Sequence, residues 1–352
     1  MKVLIGRPNS GKSQHVISRA ADALAKGRGR VRLVVPSASA SDVMQDRLRA
    51  SEQLISIDAP QQVVTTFPSL YTSVLASEGI QPTWLTSIER ERMIRQAITE
   101  LAEAGRLAYY GEIAAMPGLT GAVAGFIDEL CRSGTTPAHF ISVAQKRSRK
   151  DQDLALIYEA YFAALDESGA VDSEVAGLRA AHALEESYQR PGPASGTGSG
   201  PGRLRNNIFS LVAADGFDFY TPVQVRLLSA LAARGAEVVA TLTYEEGRAV
   251  HLWQERTLER LKNAGAEVVI LSGERASPIE QAAARLMVDG GPGMRADNSD
   301  CIQIISAPDR AAEVRAVARE VKRLVIEDGF AVGDISIVCR SLSQYSHHLE
   351  RV

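Results

Sequence analysis

The chain has 352 residues, of which 45% are hydrophobic and 23% charged, and its formal net charge is −3. This composition excludes a disordered chain, and the length is enough for two or three domains with their own cores. The small negative charge excludes a uniformly basic nucleic-acid-binding protein but allows a local basic groove.

The three cysteines, Cys131, Cys301 and Cys339, stand far apart, with no Cys-x-x-Cys pair. This spacing excludes a disulfide framework and a zinc site and favours a reducing compartment. No apolar run reaches the about 20 residues that a membrane-spanning helix needs. The N-terminal MKVLIG leads directly into a glycine-rich loop instead of a signal-peptide core. We therefore predict a cytoplasmic protein with no membrane contact.

The first 70 residues alternate between short apolar runs and helical patterns. MKVLIG predicts a strand, residues 13–26 an amphipathic helix, and residues 31–35 a second strand that ends at Pro36. DVMQDRL predicts another helix, and QQVVTTFPSLY predicts a third strand with its exit. Strands that alternate with helices indicate a parallel sheet.

Residues 71–189 have a different pattern. Segments such as TSIERERMIRQAITELAEAG and DLALIYEAYFAALDESG keep a helical period and contain no clear strand, so we predict an all-α insertion. The next segment, RPGPASGTGSGPGRLR at residues 190–205, has little to bury and predicts a flexible linker.

The alternation of strands and helices returns after the linker. IFSLVAADGF, AEVVATLTY and AEVVIL are predicted strands, and VQVRLLSALAARG and TLERLKNAG are predicted helices. Residues 1–70 and 206–300 therefore predict one α/β domain in two segments. IQIISAP, RAAEVRAVAREVKRLVIEDG and DISIVCRS predict that residues 301–352 continue the α/β region. The tail SQYSHHLERV stops within an early helix, so we expect the natural protein to continue beyond Val352.

The loop GRPNSGKS, residues 6–13, fits the phosphate-binding pattern G-x-x-x-x-G-K-[ST] without mismatch. In such a loop the backbone N–H groups surround phosphates, the lysine contacts the β- and γ-phosphates, and the hydroxyl binds Mg²⁺. A plain glycine turn is the alternative, but the predicted strand before and helix after favour a nucleotide site. We predict ATP and Mg²⁺ as cofactors, with nucleotide contacts from Gly6, Arg7, Pro8, Asn9, Ser10, Gly11, Lys12 and Ser13.

Asp215 is the candidate second magnesium ligand, beside Ser13. ATPases with this loop hold Mg²⁺ through an aspartate at the end of another apolar strand, and a glutamate that follows it positions the attacking water. Asp215 ends such a strand, but Gly216 follows it and Asp218 stands three residues away. A turn aspartate is the alternative. With Asp215 as ligand, the sequence predicts nucleotide binding with weak or no hydrolysis.

Taken together, the motifs resemble the helicase-like half of AddB-type subunits, which belong to the bacterial AddAB helicase–nucleases. The resemblance covers nearly the whole chain and rests on segments that follow one another in the family's order. They are LIGRPNSGKS, LVVPSASASDVMQDRL, VVTTFPSLYTSVL, AVAGFIDELCRSGTTPAHF, FSLVAADGFDFYTPVQVRLLSAL and VCRSLSQYS.

The resemblance implies a P-loop, RecA-like, superfamily-one helicase-like fold, with the start of a truncated second motor-like domain in residues 301–352. It implies further nucleotide contacts from Gln224, nine residues after Asp215, and from Arg340. It also implies a bacterial complex with a motor A-type subunit that acts on single-stranded DNA from processed ends during recombinational repair.

The chain departs from active motors in ways that affect activity. TLTYEEGR stands where a motor carries its γ-phosphate sensor, and the family's nuclease domain has no counterpart in the sequence. We expect this chain alone to be a poor ATPase and no nuclease. Two alternatives stay open: an active DNA-stimulated ATPase or helicase, with Asp218 as one candidate for positioning water, and a non-enzymatic, nucleotide-stabilised DNA-binding scaffold.

The segment TTFPSLY is the candidate DNA contact, because single-strand channels combine hydroxyl groups with stacking aromatic rings. The sequence leaves open whether its two rings stack on bases or belong to the core. The candidate residues are Thr65, Thr66, Phe67, Ser69 and Tyr71.

Overall fold

The structure is a computed structural model that describes residues 1–26, 30–50, 63–189, 208–273 and 302–352. It divides into two compact units, residues 1–274 and 275–352, and each is described by itself. The predicted linker at 190–205 and Cys301 lie outside the described residues.

A parallel sheet forms the centre of the first unit, as the sequence predicts. Its strands are β1 (Lys2–Gly6), β2 (Val31–Val34), β3 (Val64–Thr65), β6 (Leu211–Ala214), β7 (Glu237–Thr243) and β8 (Glu267–Ile270). In the described residues the strand order is β3-β2-β6-β7-β1-β8, and every neighbouring pair is parallel. A separate two-stranded parallel sheet pairs β4 (Thr83–Trp84) with β5 (Ala170–Val171).

Helices cover both faces of this sheet. They are α1 (Lys12–Ala25), α2 (Ala38–Arg49), α3 (Phe67–Ser77), α4 (Ser87–Glu103), α5 (Pro117–Ser133), α6 (Pro137–Ala144), α7 (Arg149–Ser168), α8 (Ser173–Gln189), α9 (Pro222–Ala233) and α10 (Leu252–Asn263). The long helical block that the sequence predicts is thus present from α3 to α8, but it is not all-α, because β4 and β5 pair within it.

Strand β1 shows how the two faces differ. Successive side chains of a strand point to opposite faces, and Leu4 packs in a small core with Val16 of α1 and Met44 of α2. Val3 and Ile5 belong to a much larger core that continues through the helical block. The block therefore packs directly on the sheet and shares its core.

Two predictions of local structure are wrong. The segment FPSLY is not a strand exit but the first turn of α3, because Thr66 has the extended backbone of an N-cap and a proline stands in the first turn. Residues 302–307 and 335–339 are not strands, although both are apolar. A strand needs a hydrogen-bonded neighbour, and the described residues of the second unit pair neither segment; Ile304 is 90% exposed and Val338 93%.

The second unit contains α11 (Arg310–Ile326) and the short α12 (Ser346–Leu349) in its described part. Asp309 caps the start of α11, because its side chain accepts a hydrogen bond from Ala312 N. None of the helices in the described part of the chain combines the length and the apolar character that crossing a bilayer requires.

Candidate functional site

The glycine-rich loop, residues 6–13, joins the end of β1 to the start of α1. Its backbone turns through left-handed conformations at Asn9, with φ 59°, and at Gly11, with φ 84°. Glycine adopts this region without strain, which explains Gly11 at the N-cap of α1. The turn places the start of α1, with its unpaired N–H groups, directly after the loop.

Gly6 is required for a different reason, which is space. A Cβ atom at this position would lie 2.5 Å from the backbone oxygen of Leu271 and 2.6 Å from Ser10 Oγ. The loop is therefore packed closely against the chain that leaves β8. Arg7 reinforces this contact, because its guanidinium donates a hydrogen bond to Gly273 O.

Lys12 lies within the loop and is only 9% exposed. Its Nζ donates to Gly6 O at 2.9 Å, to Arg7 O at 2.6 Å and to Ser10 Oγ at 3.3 Å. Burial lowers the pKa of the ammonium below its ordinary 10.5, and the negative charges of Asp215 and Glu245 act in the opposite direction. The loop therefore holds a buried cation that is bonded to loop oxygens and influenced by two negative charges.

Asp215 follows the end of β6 and is only 4% exposed. Its backbone N–H donates to Val34 O at 2.9 Å, and its Oδ1 accepts a hydrogen bond of 2.7 Å from Thr241 Oγ1. Thr241 Oγ1 also accepts from Gly216 N at 3.3 Å. Strand β7, which carries Thr241, lies between β6 and β1 and so orients the carboxylate from the neighbouring strand.

Gly216 has φ 81°, a left-handed conformation, and offers no side chain to the site. Beyond it, the hydroxyl of the fully buried Tyr220 donates to Ala214 O at 3.1 Å and to Thr241 O at 3.0 Å. This arrangement fixes the ends of β6 and β7 together. The alternative water-positioning residue, Asp218, provides its backbone oxygen to Gln254 Nε2 at 3.3 Å.

The residue types present fit Mg²⁺. Ser13 and Asp215 would supply a hydroxyl and a carboxylate oxygen, and Mg²⁺ commonly binds one or two carboxylates together with substrate phosphates. The described residues contain no group of three or more His, Cys, Asp or Glu side chains that could hold a metal by themselves.

A cavity of about 480 Å³ opens over the loop. The residues that line it come from the loop, from the first turns of α1 and from the end of α2. They are Asn9, Ser10, Gly11, Lys12, Ser13, Gln14, Ile17, Arg47 and Ala50.

A second cavity of about 470 Å³ lies on the β8 side of the loop and includes Gly6, Arg7, Tyr244 and Glu245. Pro8 is exposed at the tip of the loop. Each predicted loop residue other than Pro8 therefore lines one of these two cavities.

The two nucleotide contacts predicted outside the loop stand in different surroundings. Gln224 completes a capping box at the start of α9. Its side-chain Oε1 accepts from Thr221 N at 2.9 Å, and its backbone N–H donates to Thr221 Oγ1 at 3.3 Å. Its side chain therefore already has a structural partner in Thr221. Arg340 is exposed in the second unit.

The candidate DNA contacts divide into two groups. Thr65, Thr66 and Ser69 line a cavity of about 580 Å³ together with two serines and the charged residues Arg32 and Asp42. Phe67 and Tyr71 are 4% and 5% exposed and belong to the large core. Both rings therefore take the core role that the sequence left open, and neither offers a free face to a base in this conformation.

Sequence reasoning missed Thr241, Glu245 and Arg47. The first two follow from β7 lying beside β1, where Tyr244 N donates to Gly6 O at 3.1 Å and so brings the next residue close to the loop. Glu245 forms an ion pair of 3.0 Å with Arg248. In the sequence, the acidic pair in TLTYEEGR was the signal that pointed to Glu245. The order of the strands, which brings this residue to the loop, cannot be read from local patterns.

Comparison with known proteins adds an independent finding. The family model described as ADDB, N-terminal, matches residues 3–189. Curated proteins named as the B subunit of an ATP-dependent helicase/deoxyribonuclease align with 98% of this chain. Those of Bacillus anthracis and Bacillus mycoides (strain KBAB4) are 25% identical to it, and that of Bacillus thuringiensis (strain Al Hakam) is 24% identical. The chain spans about 30% of the length of these relatives.

Proposed function

Because this chain belongs to the ADDB N-terminal family, we propose that it is the ATP-binding, helicase-like part of an AddB-type helicase–exonuclease subunit. In this proposal the protein acts on double-strand breaks, where it processes DNA ends for recombinational repair in the bacterial cytoplasm. The name of the relatives, which joins an ATP-dependent helicase to a deoxyribonuclease, supports the assignment.

The proposed nucleotide site has a P-loop at its centre. The N–H groups at the start of α1 and the ammonium of Lys12 bind the phosphates, and Ser13 and Asp215 hold Mg²⁺. A parallel sheet with the loop after one strand and Asp215 after another is the arrangement expected of a RecA-like domain. Gln224 completes the proposed contacts after release from its capping box.

We further propose that hydrolysis is weak or absent, and one observation carries this conclusion. The residue that follows the buried Asp215 is Gly216, which has no side chain and a left-handed backbone. In related ATPases the water that attacks the γ-phosphate is oriented by a side chain. The site therefore retains the groups for binding and lacks the group for hydrolysis at that position.

The proposed macromolecular partners are single-stranded DNA and a motor A-type subunit. The cavity lined by Thr65, Thr66 and Ser69 supports the DNA contact, because hydroxyl groups bind phosphates without reading sequence. Arg32 and Asp42 line the same cavity with opposite charges, so the proposed contact rests on the hydroxyl groups. Translocation would come from the A-type subunit, while this chain would guide the strand.

The test is a titration of the purified chain with a fluorescent ATP analogue and Mg²⁺, followed by turnover assays with and without single-stranded DNA. We expect micromolar binding that Lys12→Ala removes and Asp215→Ala weakens, with negligible turnover in all samples. Absence of binding by the wild-type chain would contradict the proposed site, and DNA-stimulated turnover would contradict its proposed inactivity.

An active, DNA-stimulated ATPase is the second candidate, and the position of Glu245 favours it. This carboxylate follows β7, next to the loop, and its charge acts on Lys12. It could orient the water in place of the missing side chain at Gly216. A matched pair of variants tests this: Glu245→Gln would abolish turnover while its exposed neighbour changed by Glu246→Gln would not, and both would keep nucleotide affinity.

A non-enzymatic scaffold is the remaining alternative. In that case nucleotide would survive purification of the chain and stabilise it, and the DNA complex would form with or without hydrolysis. Mass spectrometry of the denatured, purified protein would detect the retained nucleotide.

A further inference from the structure

The cavity over the glycine-rich loop is larger than a phosphate chain needs. Its volume of about 480 Å³ falls within the about 300–1,000 Å³ that is typical of small-molecule sites. The phosphate-binding groups occupy one end, at Gly11, Lys12 and Ser13. Ile17 lies four residues further along α1, which is about 6 Å along a helix axis. The other end of the cavity is therefore available to the rest of a nucleotide.

That other end has a composition suited to a planar, partly polar ring. Gln14 offers an amide with both donors and an acceptor, and Ile17 and Ala50 add apolar surface. Arg47 reaches the cavity from the last turn of α2. A guanidinium is flat and stacks on the face of an aromatic ring, which a lysine ammonium does not do.

Arg47 differs from its neighbour Arg49 in one respect that bears on this role. Arg49 Nη1 forms an ion pair of 2.8 Å with Asp46 Oδ1 on the same helix. Arg47 makes no hydrogen bond or ion pair within the part of the chain that the structure describes. Among the described residues, the guanidinium of Arg47 therefore has no partner that would compete with a ligand, whereas that of Arg49 is paired.

We propose that Arg47, with Gln14, Ile17 and Ala50, forms the subsite for the base of the bound nucleotide, with the guanidinium stacked on the base. This inference rests on the proposed nucleotide binding. It gives the site a means of recognising the base through α1 and α2 alone.

The experiment compares two ligands that share phosphates and differ in the base. Calorimetric titration with ATP and with inorganic triphosphate, both with Mg²⁺, is carried out on the wild-type chain, Arg47→Ala, Arg47→Lys and Arg49→Ala. We expect Arg47→Ala to weaken ATP binding about tenfold, which is the order of a cation–π contact, and to leave triphosphate binding within about twofold. Arg47→Lys keeps the positive charge but loses the flat guanidinium, so we expect it to weaken ATP binding nearly as much as Arg47→Ala does.

Arg49→Ala is the matched control and should change neither affinity. An equal loss for ATP and triphosphate in Arg47→Ala would overturn the subsite, since it would place Arg47 on the phosphates. Unchanged ATP affinity in Arg47→Ala would also overturn it. Failure of the wild-type chain to bind either ligand would overturn the nucleotide site itself, and the subsite with it. This outcome is distinguishable, because all four proteins would then fail to bind.

Discussion

The glycine-rich loop and the strand end at Asp215 are the two regions of the proposed nucleotide site, and they differ in completeness. The loop has each group that phosphate binding requires, and its glycines stand where space or backbone conformation excludes other residues. The strand end retains a buried, well-oriented carboxylate at Asp215 but continues into Gly216, which has no side chain.

This difference teaches that binding and hydrolysis depend on separable groups. The three hydrogen bonds of Lys12 and the close packing at Gly6 specify the conformation of the loop. The orientation of Asp215 by Thr241 is equally specific. A site that keeps both and omits the side chain for water is what a nucleotide-binding protein with little turnover requires.

The largest effect is expected at Lys12. Lys12→Ala removes two charge-assisted bonds to phosphate oxygens, each contributing roughly 1.5–3 kcal/mol, so ATP affinity should fall at least about 100-fold. Titration with a fluorescent analogue measures this, and circular dichroism checks the fold. Lys2→Ala is the control, because Lys2 lies at the opposite end of β1 from the loop and has an exposed side chain. If Lys12→Ala kept the wild-type affinity for ATP, the loop would not be part of the nucleotide site.

A smaller effect is expected at Asp215, and it should depend on the metal. Asp215→Asn should reduce ATP affinity at least about tenfold in the presence of Mg²⁺ and change it little in EDTA, in line with the loss on disturbing a metal site. Thr241→Val removes only the hydroxyl that orients the carboxylate, so the loss should have the same metal dependence and be smaller. An equal loss with and without Mg²⁺ would contradict a metal role for Asp215.

The sequence predicts the loop better than it predicts its surroundings, for a physical reason. The pattern from Gly6 to Ser13 and the periodicity of the helices are local, so they can be read without knowing which strands are neighbours. Glu245 and Thr241 reach the site only because β7 lies between β6 and β1, and strand order depends on contacts distant in the chain.

Two other points of the sequence analysis depend on the same boundary between local and distant information. The rings of Phe67 and Tyr71 have one pattern whether they stack on bases or fill a core, and the large core decides for the second. The apolar segments at 302–307 and 335–339 have strand composition, but composition cannot supply the neighbouring strand that each needs.

A third prediction asks whether one residue separates this site from a motor. Gly216→Glu should not raise turnover, because the left-handed backbone at φ 81° directs a side chain differently from the extended strand end of a motor. The substitution should also lower the free energy of unfolding by about 1–2 kcal/mol, measured by urea titration. Gly265→Ala, at φ 82° in a turn with open space, is the control for backbone strain alone. DNA-stimulated turnover in Gly216→Glu would contradict this prediction, since the missing side chain alone would then separate this site from an active motor.

The smallest expected effect concerns the protonation of Lys12 in the folded chain. Because burial lowers its pKa below 10.5, the folded chain binds fewer protons than the unfolded chain between the two pKa values. Its unfavourable contribution to stability is therefore fully present below the folded pKa and disappears as the pH rises through 10.5. Lys12→Met lacks this contribution, so its advantage in free energy of unfolding over the wild type should shrink between pH 7 and pH 10.5.

Urea unfolding of both proteins across that range measures the change, and the difference between them cancels the titration of the buried tyrosines. Lys2→Met should show no such pH dependence, because Lys2 is exposed. A constant difference between Lys12→Met and the wild type would mean that the carboxylates of Asp215 and Glu245 offset the burial of the ammonium completely. The loop would then hold its cation with no loss of folding stability before phosphate binds. That result would strengthen the contrast with the strand end, which lacks a side chain at Gly216.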